Sequence, residues 1–147
     1  MYTHILIPTD GSETAEKAVA AGIDYAREAG ASVVFFTAMP EYQVPSEAEL
    51  MARHGVPLYE YERKSREEAK LILEKVAALA NAANVPCETD YALNDHPSQA
   101  IIEAAKRHRC DAIFMSTHAR TGFAKLLHGS ETQDVITHSD RPTLVYR

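Results

Sequence analysis

Residues 4–30, HILIPTDGSETAEKAVAAGIDYAREAG, place a short apolar run and a helical repeat on either side of a tight polar turn. The run HILIP is apolar without alternation, the pattern of a strand covered on both faces, as in a parallel sheet. After Asp10, Gly11 and Ser12, the residues Ala15, Ala18, Val19, Gly22, Tyr25, Ala26 and Ala29 recur at helical spacing. Glu13 and Glu16 suit the positive end of that helix, and Gly30 stops it as a C-terminal cap. A strand that turns at once into a helix is the first half of a β-α-β unit.

The same alternation continues outward. SVVFFTAM (32–39), DAIFMS (111–116) and PTLVY (142–146) are further strand candidates, and CETDYAL (87–93) alternates, which suits a strand nearer an edge. A long helix is expected over roughly 59–83, with Ala69, Ile72, Val76, Leu79 and Ala83 on one face and the solvated charge run ERKSREE (62–68) before them. Another opens at Pro97, whose fixed φ suits a first turn, and packs Ile101, Ala104 and Ala105. The last starts at Ser130, where Ser130 and Gln133 have capping-box spacing, and turns Val135 and Ile136 inward. Five strands alternating with four helices give an α/β chain with a single doubly wound five-stranded parallel sheet and helices on both faces. Ligands of such sheets bind beyond the carboxyl ends of the strands, where strand order reverses. The turn at Pro8–Ser12 and the stretch after residue 115 are placed to meet there. The connection from Pro40 to Pro57 is a surface excursion or a lid over that place.

Bulk properties bound the reading. The chain has 147 residues, 46% hydrophobic, enough for one core and one domain, 1–147. Its formal net charge of −6 speaks against a nucleic-acid partner. Cys87 and Cys110 are far apart and form no CxxC pair, so neither a zinc knuckle nor a redox dithiol is indicated. No basic leader and no apolar run of about 20 residues is present, so a cytoplasmic chain without a membrane partner is expected.

The loop after the first strand lacks GxGxxG, and GxxxxGK[ST] is absent, which removes the dinucleotide fingerprint and the Walker-type loop. Asp10 has only Gly11 and Ser12 beside it, where a phosphoacceptor receiver would hold magnesium between neighbouring carboxylates. His108, His118, His128 and His138 recur every ten residues, which does not return to one helical face, so no metal site is expected. No nucleophile and base stand at a catalytic spacing, and an efficient enzyme is not indicated.

Taken together, HILIPTDGSETAEKA, SVVFFTAM, DAIFMSTHARTGFAKLLHGSETQDVI and RPTLVYR resemble the universal stress proteins over the whole chain. The resemblance implies a Rossmann-like sheet of the adenine nucleotide alpha hydrolase type, strand order 3-2-1-4-5. Its ATP-binding members share G-x2-G-x9-G-[ST], whose positions fall here at Ser116, Ala119, Gly129 and Ser130, so only the last pair is kept. Met115, His118, Arg120, Gly122, Leu126 and Leu127 also look like the family. By the same resemblance Pro8, Thr9 and Asp10 surround adenine and ribose, and the backbone of Ala38 contacts adenine. Glu131 and Thr132 complete the candidate set.

Serine or alanine in place of glycine costs on the order of 1–2 kcal/mol wherever φ must be positive, so the expectation is a weakened site for ATP or AMP, with or without Mg. Ala119→Gly is expected to tighten it. Against that loss, Gly129 and Ser130 open a helix, and the hydroxyls of Ser116, Ser130 and Thr132, together with Arg120, are candidate phosphate donors. Asp10 is assigned either to the ligand or to capping the first helix. The resemblance also implies a homodimer through the last strand, with Leu144 and Tyr146 near its axis. The alternatives are a nucleotide-independent dimeric interaction protein and, weaker, a slow ATPase or autokinase.

Overall fold

The computed structural model describes residues 1–117 and 129–147. Its elements are β1 (His4–Pro8), α1 (Glu13–Ala29), β2 (Ser32–Met39), α2 (Glu47–Met51), α3 (Leu58–Ala82), β3 (Cys87–Leu93), α4 (Pro97–Arg107), β4 (Ala112–Ser116), α5 (Gly129–His138) and β5 (Thr143–Tyr146). All strand pairs are parallel, in the order β3-β2-β1-β4-β5. Chain order reverses between β1 and β4, as expected from the doubly wound reading.

Period-two alternation splits the core into two layers. Leu6, Val34, Phe36, Ile113 and Met115 pack on Ile101, Ala104, Ala105 and Val135 of α4 and α5. Ile5, Ile7, Val33, Phe35 and Phe114 pack on the other face, against α1 and α3, through Val19, Ile23, Leu73, Val76 and Ala80. Burial on both faces explains why the central strands are continuous apolar runs.

Local signals set most helix ends. Ser12 Oγ accepts from Ala15 N at 3.2 Å, and Gly30 closes α1 at φ 66°, a left-handed turn that glycine adopts without a Cβ penalty. Pro97 occupies the first turn of α4. On α3 the buried stripe is Ser65, Ala69, Leu73, Val76 and Ala80. Leu79 is exposed and Ile72 and Ala83 only half-buried, so the face lies about one residue away from the expected one. Ile136 is likewise exposed, whereas Val135 is fully buried.

The excursion after β2 is pinned. Tyr61 donates to Pro40 O, Tyr42 donates to Val56 O at 2.5 Å, and the two rings stand 5.4 Å apart. Glu41 N donates to Asp95 Oδ1 at 2.9 Å. Within it α2 forms on a capping box in which Ser46 and Glu49 exchange hydrogen bonds.

The two edges of the sheet differ. On β3, Asp90 Oδ1 accepts from Tyr91 N at 2.8 Å, and Asp90 Oδ2 accepts from Arg107 at 2.5 Å and His108 Nε2 at 2.7 Å. Inward charge of this kind blunts an edge. On β5, Val145 and Tyr146 are exposed at 38% and 37%. Among the described residues no helix is long and apolar enough to cross a membrane.

Candidate functional site

At the reversal point the sheet comes apart, and the cause is one residue. Asp111 N donates to His4 O at 2.8 Å and Thr9 N donates to Phe36 O at 2.8 Å, so His4, Leu6 and Pro8 turn their backbone groups toward β4 while Ile5, Ile7 and Thr9 turn theirs toward β2. Pro8 stands where an N–H would be offered to β4, and proline has none. The β1–β4 register accordingly runs only over Ile5↔Ala112 and Leu6↔Ile113. The flanking ladders continue to Pro8↔Phe36 and Ser116↔Tyr146. A cleft therefore opens between the carboxyl ends of β1 and β4.

One wall is the turn after β1. Thr9, 1% exposed, accepts from Gly11 N at 3.2 Å, and Asp10 Oδ1 accepts from Ser12 N at 2.9 Å. Gly11 sits at φ 79°, and a Cβ there would meet Ile72 Cγ1 at 3.2 Å, so the turn requires glycine. Since Ser12 caps α1, Asp10 does not, which corrects one of the two roles expected of it. Asp10 Oδ2 is enclosed and has no hydrogen-bond partner among the described residues. An enclosed carboxylate oxygen in that state favours any donor that reaches it.

The other wall is the end of β4 with the start of α5. Thr132, 4% exposed, donates through Oγ1 to Ser116 O at 2.8 Å and approaches Thr117 O at 3.3 Å. Its proton belongs to the β4 backbone, so Thr132 fastens α5 to the sheet and is not the phosphate donor expected. Ser116 is an extended strand residue on the face of Phe114, opposite α5. Its Oγ is buried without a partner among the described residues. Positive φ outside glycine occurs there only at Arg53, Asn84 and Arg109, so serine at 116 costs no left-handed strain. The strain expected at this position is therefore absent. Glu131 Oε2 accepts from Ser98 N at 3.0 Å, which ties the first turn of α5 to that of α4.

Pro8, Ala38 and Met115 are buried, Met115 wholly within the core, so these three offer a ligand backbone and edges rather than side-chain tips. α5 begins at Gly129, one residue before the expected start, and Ser130 lies in its exposed first turn. His118, Ala119 and Arg120, with Gly122, Leu126 and Leu127, lie outside the described residues. Thr9 and Asp10 thus follow the carboxyl end of β1 and Ser116 closes that of β4, with Thr132 of α5 bonded to Ser116 O and Ala38 on β2 one strand away.

Thr37 was not singled out from the sequence. It is 1% exposed, its Oγ1 has no partner among the described residues, and it stands level with Thr9, one step past Pro8↔Phe36. A lone threonine inside SVVFFTAM was the available signal. A recess of about 500 Å³ between α4 and α5, lined by His96, Gln99, Ile102 and His138 among others, is separate from these strand ends. No group of three or more His, Cys, Asp or Glu is arranged for a metal among the described residues. His108, one of the evenly spaced histidines, is engaged instead with Asp90.

The model of the universal stress protein family matches residues 1–147. A universal stress protein of Thermus aquaticus is 32% identical, with 100% of each chain covered. The solved structure of the Methanocaldococcus jannaschii protein MJ0577 superposes with a TM-score of 0.73 at 28% identity, covering 99% of this chain and 95% of that one. A universal stress protein from Archaeoglobus fulgidus, solved in complex with dAMP, shares the fold with a TM-score of 0.67 at 19% identity over 99% of this chain and 98% of its own.

Proposed function

The chain belongs to the universal stress protein family, and on that premise we propose that it binds an adenine nucleotide, ATP or AMP, in the cleft between β1 and β4. The observation that carries this reading is the ladder ended by Pro8, with Asp10 Oδ2, unpartnered among the described residues, on one side and the start of α5 on the other. Adenine edges and ribose hydroxyls are donors that suit Asp10 Oδ2. Phosphate oxygens suit the positive end of a helix dipole, here the start of α5. In this reading the backbone of Ala38, on the neighbouring strand, takes the adenine edge. The dAMP complex of the Archaeoglobus relative supports a nucleotide of this class. Magnesium would arrive with a triphosphate, since the described residues offer no cluster of their own.

The test is to denature the purified protein and identify any released nucleotide, then titrate ATP and AMP with and without Mg²⁺ by calorimetry. Released adenine nucleotide or saturable heat is expected. Neither release nor heat at millimolar ligand refutes the reading and leaves the interaction protein in its place.

A homodimer through β5 is part of the same proposal. Asp90 occupies the β3 edge, whereas the β5 edge exposes Val145 and Tyr146 and carries no charge before Arg147. Light scattering should give twice the chain mass of 16.2 kDa; a monomer at micromolar concentration removes the dimer.

A further inference from the structure

Half of the exposed large apolar side chains among the described residues fall in one short stretch. Val44, Leu50, Met51, Val56, Leu58 and Tyr59 lie within residues 44–59, with Val44 and Met51 exposed at 83% and 81%. Single exposed apolar residues are ordinary on a surface, but six in one short segment mark a place where something else packs.

The segment that carries them is held in shape. The capping box forms α2 although that helix buries none of its residues. Beyond it His54 N donates to Glu49 O at 2.9 Å, and the chain doubles back so closely that a Cβ at Gly55 would stand 2.7 Å from Pro45 Cγ and 3.6 Å from Leu50 Cδ2. Tyr42 and Tyr61 fasten the two ends through Val56 O and Pro40 O. Val44, Leu50 and Val56 are thereby gathered around the closure of Pro45 on Gly55. A surface already ordered in this way loses little conformational freedom when a partner binds.

Charge identifies the partner. Residues 40–59 carry Glu41, Glu47 and Glu49, all exposed, against the single cation Arg53, and Asp95 joins them through Glu41 N at 2.9 Å. The whole chain has a formal net charge of −6. A second copy would set like charges against each other, and an anionic lipid surface would be repelled as well. An apolar centre among carboxylates fits a ligand that presents an apolar stripe flanked by Lys and Arg.

We propose that residues 40–59 form a preformed docking surface for a basic amphipathic helix of a partner protein. Its apolar stripe packs on Leu50 and Met51, and its cations lie against Glu41, Glu47 and Glu49. The assignment does not depend on the nucleotide reading.

The probe is a fluorescein-labelled peptide of about 18 residues, five helical turns, with leucines at i, i+3, i+4 and i+7 and lysines elsewhere. Two controls are a scrambled peptide whose leucines share no face and a peptide with glutamates for the lysines. Anisotropy with the full chain should saturate for the basic amphipathic peptide and for neither control. Met51→Ser and Val44→Ser should each weaken binding about tenfold. Both side chains are exposed, so the melting temperature should stay unchanged. Glu47→Lys should weaken binding several-fold at low salt, and high salt should shrink that difference. Amide shift changes in the labelled chain should fall within residues 40–61.

No saturable binding overturns the proposal, as does equal binding of the scrambled peptide. Binding that both serine variants leave unchanged, or shift changes centred elsewhere, overturns it too. A dimer that Met51→Ser dissociates in light scattering would make the patch an interface between copies. Sedimentation with phosphatidylcholine–phosphatidylserine vesicles, abolished by Met51→Ser, would make it a lipid surface. Either result overturns the assignment to a basic helix.

Discussion

Thr132→Val tests whether α5 is fastened to the sheet by one hydroxyl. Valine keeps the branched shape of threonine, so little cavity forms, but it cannot donate to Ser116 O, now 2.8 Å from Thr132 Oγ1. Both residues are buried, at 4% and 1% exposure, so water does not readily replace the bond. Leaving a buried carbonyl unpaired costs about 1–3 kcal/mol. For a chain of this size that amounts to roughly 3–9 °C in melting temperature, at about 3 °C per kcal/mol. Calorimetry and urea unfolding measure the loss, with an unchanged denaturant slope expected because the same surface is exposed on unfolding. Thr132→Ser keeps the donor and should recover most of it. Under the proposed function Val should also weaken ATP and AMP together, because the helix start assigned to phosphate in that reading is less firmly placed. A Val variant melting within about 1 °C of wild type would refute the reasoning, as would Ser losing as much as Val.

Two further perturbations probe the frame around the site. Gly30→Ala meets nothing within 4 Å, so its cost is backbone strain alone at φ 66°, about 1 kcal/mol in urea unfolding. A neutral result would show that the turn relaxes out of the left-handed region. At the β3 edge, partial burial raises the Asp90 carboxyl, but hydrogen bonds from Arg107 and His108, the Arg107 charge and the Tyr91 N–H outweigh it and hold its pKa below the ordinary value. A carboxyl depressed on folding contributes stability above its unfolded pKa, about 4, and loses it as pH falls through the folded value. Asp90→Asn should therefore be less stable than wild type near neutrality, with the gap closing in acid. A gap that is constant with pH would show that the ion pairs contribute nothing.

Much of the fold was written in local patterns. The glycine and serine around the first helix are each the residue their backbone position requires, and the apolar runs are continuous because both faces of the sheet are covered. The stripe on α3 was misplaced because alanines at 69, 80 and 83 blur the edge of an amphipathic face, and burial by β2 and β3 decided among them. The short α2 carries its signal in the Ser46–Glu49 capping box, which is set inside an otherwise irregular connection. The site was harder. A threonine in a motif names a hydroxyl, not its acceptor, and at 132 the sheet claims the proton. Ser116 was legible in principle, since alternation from Phe114 puts it on the face away from α5. Treating it as a loop glycine's substitute hid that the strand extends through it. The effect of Pro8 that the fold shows follows from the N–H it lacks, which no motif spells out.

That missing donor has a kinetic side. A cleft made by breaking a ladder would have to be forced open and would close again whenever the ligand left. Here there is no bond to break at the Pro8 rung, so under the proposed function the gap between β1 and β4 needs no opening and should be the same filled or empty. Amide exchange along Ile5–Ile7 and Ile113–Met115 should then be the same in both states, and the dwell time of a nucleotide should be set by its own contacts rather than by breathing of the sheet.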